Sequence, residues 1–460
     1  MNKKNIFYCV GIIIIFLIVF LLIACNKTNN NVKTKDLTAT VLAKSNDKLT
    51  IQDNKNIIYT FNATNLSDDI EPEIGSNIAI KYTGLLDKSI ELQSSSVISY
   101  KTSPVSQDED GIPTNLLDDG IFSNFYILAN NKLKTLSLEE KIGQLLLVRY
   151  PETNAKEELK KYKFAGYIFF EKDFKDKTKV EVQNMIKELQ DVANIPLLTA
   201  VDEEGGRVVR VSSNPNLASS KFKSPQELYK DGGFDLISRD TIEKSAVLKN
   251  LGLNLNLAPV VDVSTDPDDY MYDRTLGENT KLTSTYAQTV IEASKGTDVS
   301  YTLKHFPGYG NNDDTHTGIT TDNRSLEDIK ENDLPPFKAG IDKGAESVLV
   351  SHNIITNLDD KNPASLSASV HNLLRNDMNF TGIIITDDLD MKALDNIDNK
   401  VVKAILAGND LIITTDYEES IKEINNALED GTITEALIDK LAFRVLAWKY
   451  YKGLMFEYQK

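Results

Sequence analysis

Cysteine is nearly absent from this chain of 460 residues. It occurs twice, at Cys9 and Cys25, both in the first segment. The rest of the sequence can therefore hold no disulfide framework and no cysteine-ligated metal. Histidine is scarce too, with four in all, and two of them, His305 and His316, fall in one short stretch. No further cluster of ligands accompanies that pair, so neither a metal nor another cofactor is expected. Positive charge is in deficit, with a formal net charge of −17. No basic stripe is visible, which excludes nucleic acid as a partner. Phosphate-loop and dinucleotide spacings are also missing: nothing suitable follows the pair Gly205-Gly206, so those glycines do not read as a phosphate cradle.

One long apolar run is present, covering 6–24 after Lys3 and Lys4. It ends Leu22-Ile23-Ala24-Cys25 and a polar tract follows. This pattern resembles a bacterial lipoprotein signal, with residues 1–24 removed and Cys25 lipidated as the new N-terminus. An uncleaved transmembrane anchor is the other reading, because the run is nearly long enough to span a bilayer. The cysteine at its end, with small Ala24 before it, favours the first. Both readings put the chain at the extracytoplasmic face of the cell membrane, and the first makes the membrane a partner through a lipid anchor.

Residues 25–36 read as a polar tether. From 37 to 100 short strands alternate with turns, at 38–43, 48–51, 57–61, 77–82 and 97–100. They predict a small all-β domain, a five-stranded barrel or sandwich, with no catalytic cluster in it. It reads as a spacer more readily than as a binder of wall material. Residues 101–135 read as linker, Pro-, Asp- and Gly-rich at first. From 136 to 460 the pattern changes. Apolar runs at 144–150, 165–170, 197–202, 255–263, 300–306, 347–353, 382–388 and 410–415 alternate with amphipathic stretches such as 180–192, 285–295 and 400–406. Eight strand–helix units over about 320 residues predict an α/β fold, a (β/α)8 TIM-like barrel. A last helix over 435–452 would bury the single tryptophan, Trp448.

Chemistry in such barrels sits at the C-terminal ends of the strands. Here the runs end at Asp202, Asp262, Lys304-His305, His352 and Asp387. A polar residue marks where any one strand meets solvent; five charged or imidazole ends are harder to explain that way. After Lys304-His305 the sequence runs Phe306-Pro307-Gly308-Tyr309-Gly310 and reaches Asp314 and His316. Proline and the glycines forbid a helix there. A carboxylate beside an imidazole can fix its tautomer and support its protonated form. Taken alone, that pair fits a polar surface loop or half a metal site as well as an acid/base. His371 lies in an amphipathic stretch and reads as structural; His352 reads equally as core or as a substrate contact.

Several longer motifs join these ends. They include Val201-Asp202-Glu203-Glu204-Gly205-Gly206-Arg207-Val208-Val209-Arg210, Asn256-Leu257-Ala258-Pro259-Val260-Val261-Asp262-Val263, Asp273-Arg274-Thr275-Leu276-Gly277, the Lys304 loop, Thr386-Asp387-Asp388-Leu389-Asp390-Met391 and Ala407-Gly408-Asn409-Asp410. In this order, over the whole of 136–460, they resemble glycoside hydrolase family 3, and within it the bacterial β-N-acetylglucosaminidases. The resemblance implies Asp387 as nucleophile and His316 as acid/base held by Asp314. It implies that Asp202, Arg210, Arg274, Lys304 and His305 hold the hydroxyls of the non-reducing sugar. Two departures stand out: Tyr309 where the family usually has histidine, and Thr315 where it usually has serine.

The chemistry suits these residues. An ionised aspartate can attack an anomeric carbon and leave again. Most retaining enzymes use a second carboxyl group as proton donor, but an imidazole titrating near pH ~6.5 can donate and reclaim a proton near neutrality. Asp387 competes with Asp388 and Asp390 for the first role. Strand alternation would let only one of Asp387 and Asp388 face the barrel axis. The expected activity is release of terminal N-acetylglucosamine from peptidoglycan-derived carbohydrate. Three alternatives remain. One is a β-glucosidase or β-xylosidase of the same fold, which generally takes its acid/base from a second domain that this chain, closing on the last barrel helix, is not expected to have. Another is a β-N-acetylglucosaminide phosphorylase, since a histidine would not repel phosphate. The third is a wall-binding lipoprotein with a dead site, against which the intact Asp387, Asp314 and His316 argue.

Overall fold

The computed structural model describes residues 35–44, 48–53, 58–62, 77–82, 91–92, 97–103, 112, 116, 118–310, 312, 314–315 and 318–455. Cys25 and the expected signal segment lie outside the described residues, and so does His316.

Six strands precede the barrel: β1 (Lys35–Lys44), β2 (Lys48–Asp53), β3 (Ile58–Asn62), β4 (Asn77–Tyr82), β5 (Glu91–Leu92) and β6 (Val97–Ser103). They hydrogen-bond into one sheet in the order β5-β3-β2-β1-β4-β6. Val41, Ile51, Ile78 and Ile80 are fully buried on one face, while Ala79 and Lys81, between and beyond the β4 pair, are exposed. That alternation is the period-2 signal read from the sequence. The strand not anticipated is β5, whose two residues are too few to carry a period. β6 also runs to Ser103, into the stretch read as linker.

Eight strands then form a parallel ring: β7 (Leu146–Arg149), β8 (Gly166–Phe169), β9 (Leu198–Val201), β10 (Leu255–Asn256), β11 (Ser300–Phe306), and, after a short β12 (Thr321–Asp322), β13 (Ser347–Val350), then after β14 (Ile354–Ile355), β15 (Ile383–Thr386) and β16 (Ile412–Thr414). Each pairs in parallel with its neighbour in chain order, and β16 pairs back onto β7. The Thr386 N–H donates to the Leu411 carbonyl (3.1 Å), and the bridge Ile385–Leu411 completes the ring. β8, β9, β11, β13, β15 and β16 are buried at every position. Strands covered on both faces read as unbroken apolar runs, which is why all eight were visible in the sequence. β10 is shorter than its run of 255–263. Pro259 has no N–H for the ladder, but its carbonyl accepts the Lys304 N–H at 3.2 Å, and the Val261 N–H donates to the Lys304 carbonyl at 2.8 Å.

The helices are punctuated by local signals. Ser137, Thr178 and Ser224 each close a capping box, with Glu140, Glu181 and Glu227. Such caps contribute ~1 kcal/mol each. The helix Pro225–Leu251 breaks at Gly232-Gly233. The last helix, Glu435–Tyr451, holds residues that lie just before β7, β8 and β13. Its Lys449 Nζ donates to Gln144 Oε1 (2.7 Å) and to the Ala165 carbonyl (2.9 Å). Its Trp448 is fully buried and donates from Nε1 to Glu346 Oε2 at 2.8 Å.

Candidate active site

Every strand of the ring, at its last residues or just beyond them, sends a residue into one cavity of ≈ 500 Å³. Asp202 follows β9, Lys304 and His305 end β11, and Asp387 follows β15; all four line it, together with Arg210 and Arg274. Six of the predicted site residues are thus brought together from segments up to 185 positions apart.

A charged network organises this group. Lys304 Nζ lies 2.7 Å from both Asp202 Oδ1 and Glu204 Oε1. Arg274 grips the same Glu204 with two bonds, Nη2 to Oε1 at 2.7 Å and Nε to Oε2 at 3.0 Å. Burial would push the Glu204 carboxyl up, but Arg274 and Lys304 outweigh it and hold the group well below the usual carboxylate range. Burial would likewise lower the Lys304 ammonium, yet Asp202 and Glu204 raise it. Glu204, Lys304 and Arg274 are therefore all held in their charged forms at neutral pH. Sequence reading missed Glu204. Its signal was present as the second acid of Glu203-Glu204, but only the fold shows that Glu203 turns away. Glu203 accepts the N–H groups of Arg210 and Val211 (both 2.7 Å) and Ser212 (3.2 Å), shaping the loop that carries Arg210. Gly205, at φ 107°, lets this loop pack where a Cβ would lie 2.2 Å from the Lys223 carbonyl oxygen.

His305 is fixed from behind. Its Nδ1 lies 2.8 Å from Asp262 Oδ2, and its Nε2 is 3.4 Å from Arg274 Nη2. A proton on Nδ1 donating to Asp262 leaves Nε2 as acceptor on the cavity side. Asp262 also accepts the Tyr309 N–H at 2.7 Å, so the strand-end acid read from the sequence is a brace rather than a lining group. His352 is fully buried, with Ser365 Oγ at 2.7 Å and the Asp388 carbonyl at 2.9 Å; it supports the turn after β15.

Both Asp387 and Asp388 line the cavity, as does Asp390. The alternation argument fails here because β15 ends at Thr386, and beyond a strand's end side chains no longer alternate. The three acids differ in their attachments. Asp390 pairs with Lys400 (2.8 Å) and accepts the N–H groups of Thr415 and Asp416. Asp388 accepts the Asp390 N–H at 3.0 Å, and burial pushes its carboxyl up to about 6. Asp387 accepts the Asp388 N–H on Oδ1 at 2.9 Å.

The loop after β11 is braced by the two residues that depart from the family pattern. Tyr309 is buried, and its hydroxyl accepts the Thr315 N–H (2.8 Å) and meets Thr315 Oγ1 (2.8 Å). Asn312 and Asn353 both donate to the Tyr309 carbonyl, at 2.8 and 3.3 Å. Asp314 is half-buried and takes a hydrogen bond from Tyr270, a cavity-lining residue. Asp314 is not itself among the lining residues.

The comparisons with known proteins agree with this fold. The model of the glycosyl hydrolase family 3 N-terminal domain matches residues 137–448. A beta-hexosaminidase of Xylella fastidiosa (strain M23) is 30% identical over 292 residues, 62% of this chain and 86% of that one. A beta-hexosaminidase of Actinobacillus pleuropneumoniae serotype 5b (strain L20) is 30% identical over 303 residues, with 62% and 84% covered. Among solved structures, a glycoside hydrolase family 3 beta-N-acetylglucosaminidase from Paenibacillus sp. str. FPU-7 is similar with a TM-score of 0.65 at 27% identity. That match covers 71% of this chain and 64% of the Paenibacillus chain, just under two thirds.

Proposed function

Because the chain belongs to glycosyl hydrolase family 3, we propose that it is a retaining exo-β-N-acetylglucosaminidase that releases terminal N-acetylglucosamine from peptidoglycan-derived fragments. The observation that carries this reading is Asp387, presented beyond a strand end to a cavity that also holds the Asp202–Lys304–Glu204–Arg274 network and His305. The relatives named beta-hexosaminidase support the choice of sugar.

In this reading Asp202, Arg210, Arg274, Lys304 and His305 grip the hydroxyls of the terminal sugar, because hydrogen bonds to charged groups are the stronger ones. A Asp387 carboxylate oxygen attacks the anomeric carbon as the glycosidic C–O bond breaks. His316, supported by Asp314, gives its proton to the departing oxygen. Water then enters, His316 takes one of its protons, and the resulting hydroxide displaces Asp387. Both reaction partners leave with atoms balanced: one sugar hemiacetal and one alcohol.

Hydrolysis of an aryl β-N-acetylglucosaminide and of the matching β-glucoside tests the assignment. The first should be much the faster, with equal or reversed rates moving the protein to the glucosidase branch. Product analysis with and without phosphate separates hydrolysis from phosphorolysis. The same proposal places the enzyme at the extracytoplasmic membrane face, lipid-anchored through Cys25, with 37–100 as a spacer.

A further inference from the structure

Tyr270 is half-buried and lines the cavity. Its hydroxyl donates to Asp314 on the loop after β11. Its ring meets the ring of Tyr309, with centroids 5.9 Å apart and planes inclined by 40°. Tyr309 in turn accepts the Thr315 N–H. Adjacent residues of the loop, Asp314 and Thr315, are thus each held by one of two touching tyrosines. Tyr309 belongs to the loop itself, whereas Tyr270 belongs to the wall. Val260, Met271 and Tyr309 pack as a buried apolar cluster apart from the barrel core, and Tyr270 packs against it.

The chain around Tyr270 is tied down on several sides. A short turn, Tyr272–Arg274, follows it. Gln226 Nε2 donates to the Tyr272 carbonyl, and Ser264 Oγ donates to Asp269 Oδ2, both at 2.7 Å. The Arg274 N–H donates to the Met271 carbonyl at 2.9 Å. Arg274 itself grips Glu204 with two bonds. One segment therefore carries both a residue assigned to the terminal sugar and the phenol that holds Asp314. A proton donor works when it stands in a fixed relation to the bond that breaks. Tying Asp314 to the segment that bears Arg274 registers the loop against the bound sugar.

The charges suit this arrangement. Burial raises the pKa of the Tyr270 phenol and the Asp314 charge raises it further, while Arg274 and Arg207 pull the other way. The outcome is upward, so the phenol keeps its proton at neutral pH and remains a donor. The two arginines are themselves paired, Arg274 with Glu204 and Arg207 with Asp273. A carboxylate has two oxygens, so one that accepts from a phenol can still accept from an imidazole.

We propose that Tyr270 is a positioning residue for proton transfer: its hydroxyl fixes Asp314 against the segment that carries Arg274, and Asp314 so held supports His316 as acid/base. This rests on the glycosidase reading above and adds to it a residue that works through Asp314, without contact with the reacting atoms.

The test compares the full-chain wild type, Tyr270→Phe, Asp314→Ala and the double variant. The substrates are an activated aryl β-N-acetylglucosaminide and a β-linked N-acetylglucosaminyl disaccharide, whose leaving sugar needs a proton. Tyr270→Phe keeps the ring and its packing. It should lower kcat/KM on the disaccharide by roughly 10-fold, mostly through kcat, and leave the aryl reference within about twofold. On the disaccharide the basic limb of the pH–rate profile should move to lower pH, because His316 loses part of the carboxylate support for its protonated form. The acidic limb should stay in place. In the Asp314→Ala background Tyr270→Phe should cost nothing further. An equal loss on both substrates overturns the proposal and makes Tyr270 structural. A loss that persists undiminished without Asp314 also overturns it and makes Tyr270 a contact of the leaving sugar. So does a basic limb that stays or moves to higher pH, which would mean that the phenol only weakens the Asp314 charge. Failure of the wild type to cleave even the aryl reference would remove both this role and the glycosidase reading. Cleavage of both substrates by Tyr270→Phe at wild-type rates would remove this role alone.

Discussion

Asp387 and Asp388 are adjacent in sequence and share the cavity, yet their surroundings predict opposite responses to one substitution. Asp387→Asn keeps the shape and removes the attacking charge. It should lower kcat/KM for an aryl β-N-acetylglucosaminide by several orders of magnitude, with the melting temperature preserved. Asp388→Asn keeps an acceptor for the Asp390 N–H and should retain activity within about tenfold. Its effect should appear in stability instead. Burial raises the folded carboxyl from 3.8 to about 6, so the folded state holds that proton more tightly than the unfolded chain. The wild type is unpenalised below the unfolded value and loses stability as pH rises through about 6. Replacing the group by a neutral amide should stabilise the protein by ~2–3 kcal/mol at pH 7–8 and by little at pH 4. Urea unfolding of both proteins across that range measures it. If Asp388→Asn is the crippling change, the nucleophile has been assigned one residue too early. His316 yields a third outcome at this scale. Proton donation matters when the leaving group is poor, and a positioned acid contributes ~10²–10⁴-fold. His316→Ala should therefore slow a disaccharide far more than an activated aryl glycoside, with Asp314→Ala showing the same selectivity in weaker form. One common factor across leaving groups of graded pKa would make His316 a binding residue.

At the scale of the element, the loop after β11 joins two parts of the site. Tyr309 is anchored through its N–H to Asp262, which also holds His305, and its hydroxyl accepts the Thr315 N–H. The aromatic and the hydroxyl that depart from the family pattern thus contact each other, and neither explains itself alone. Tyr309→Phe keeps the ring and removes the acceptor, leaving a buried N–H unsatisfied at a cost of about 1–3 kcal/mol. Amide hydrogen exchange should rise at 309–315 while β7–β16 remain protected. Unchanged exchange in the loop would show that the ring, not the hydroxyl, holds it. This brace was illegible in the sequence, where Tyr309 and Thr315 read only as departures. Nothing local to either residue says that a phenol would turn inward and meet a threonine after two glycines.

For the whole molecule, the open question is where it sits. If Cys25 is lipidated and residues 1–24 are removed, mass spectrometry of the mature protein should find a diacylated or triacylated cysteine at the N-terminus. An intact Met1 would sink that reading. Among the described residues no helix is long and apolar enough to cross a membrane. By itself the sequence determined the ring of eight strands, their order and the identity of the polar residues at their ends. Strands buried on both faces must be apolar without interruption, so their ends announce themselves. It also determined which residues resemble a family's site, because motifs keep their order along a chain. Only the tertiary structure decided what those residues touch. Lys304 meets Asp202 across 102 positions and Arg274 meets Glu204 across 70, and no local pattern encodes such distances. Closure of the ring sets them by fixing which strand ends face one another. That closure is why Glu204 emerged as the hub of the network and why Asp262 proved a brace.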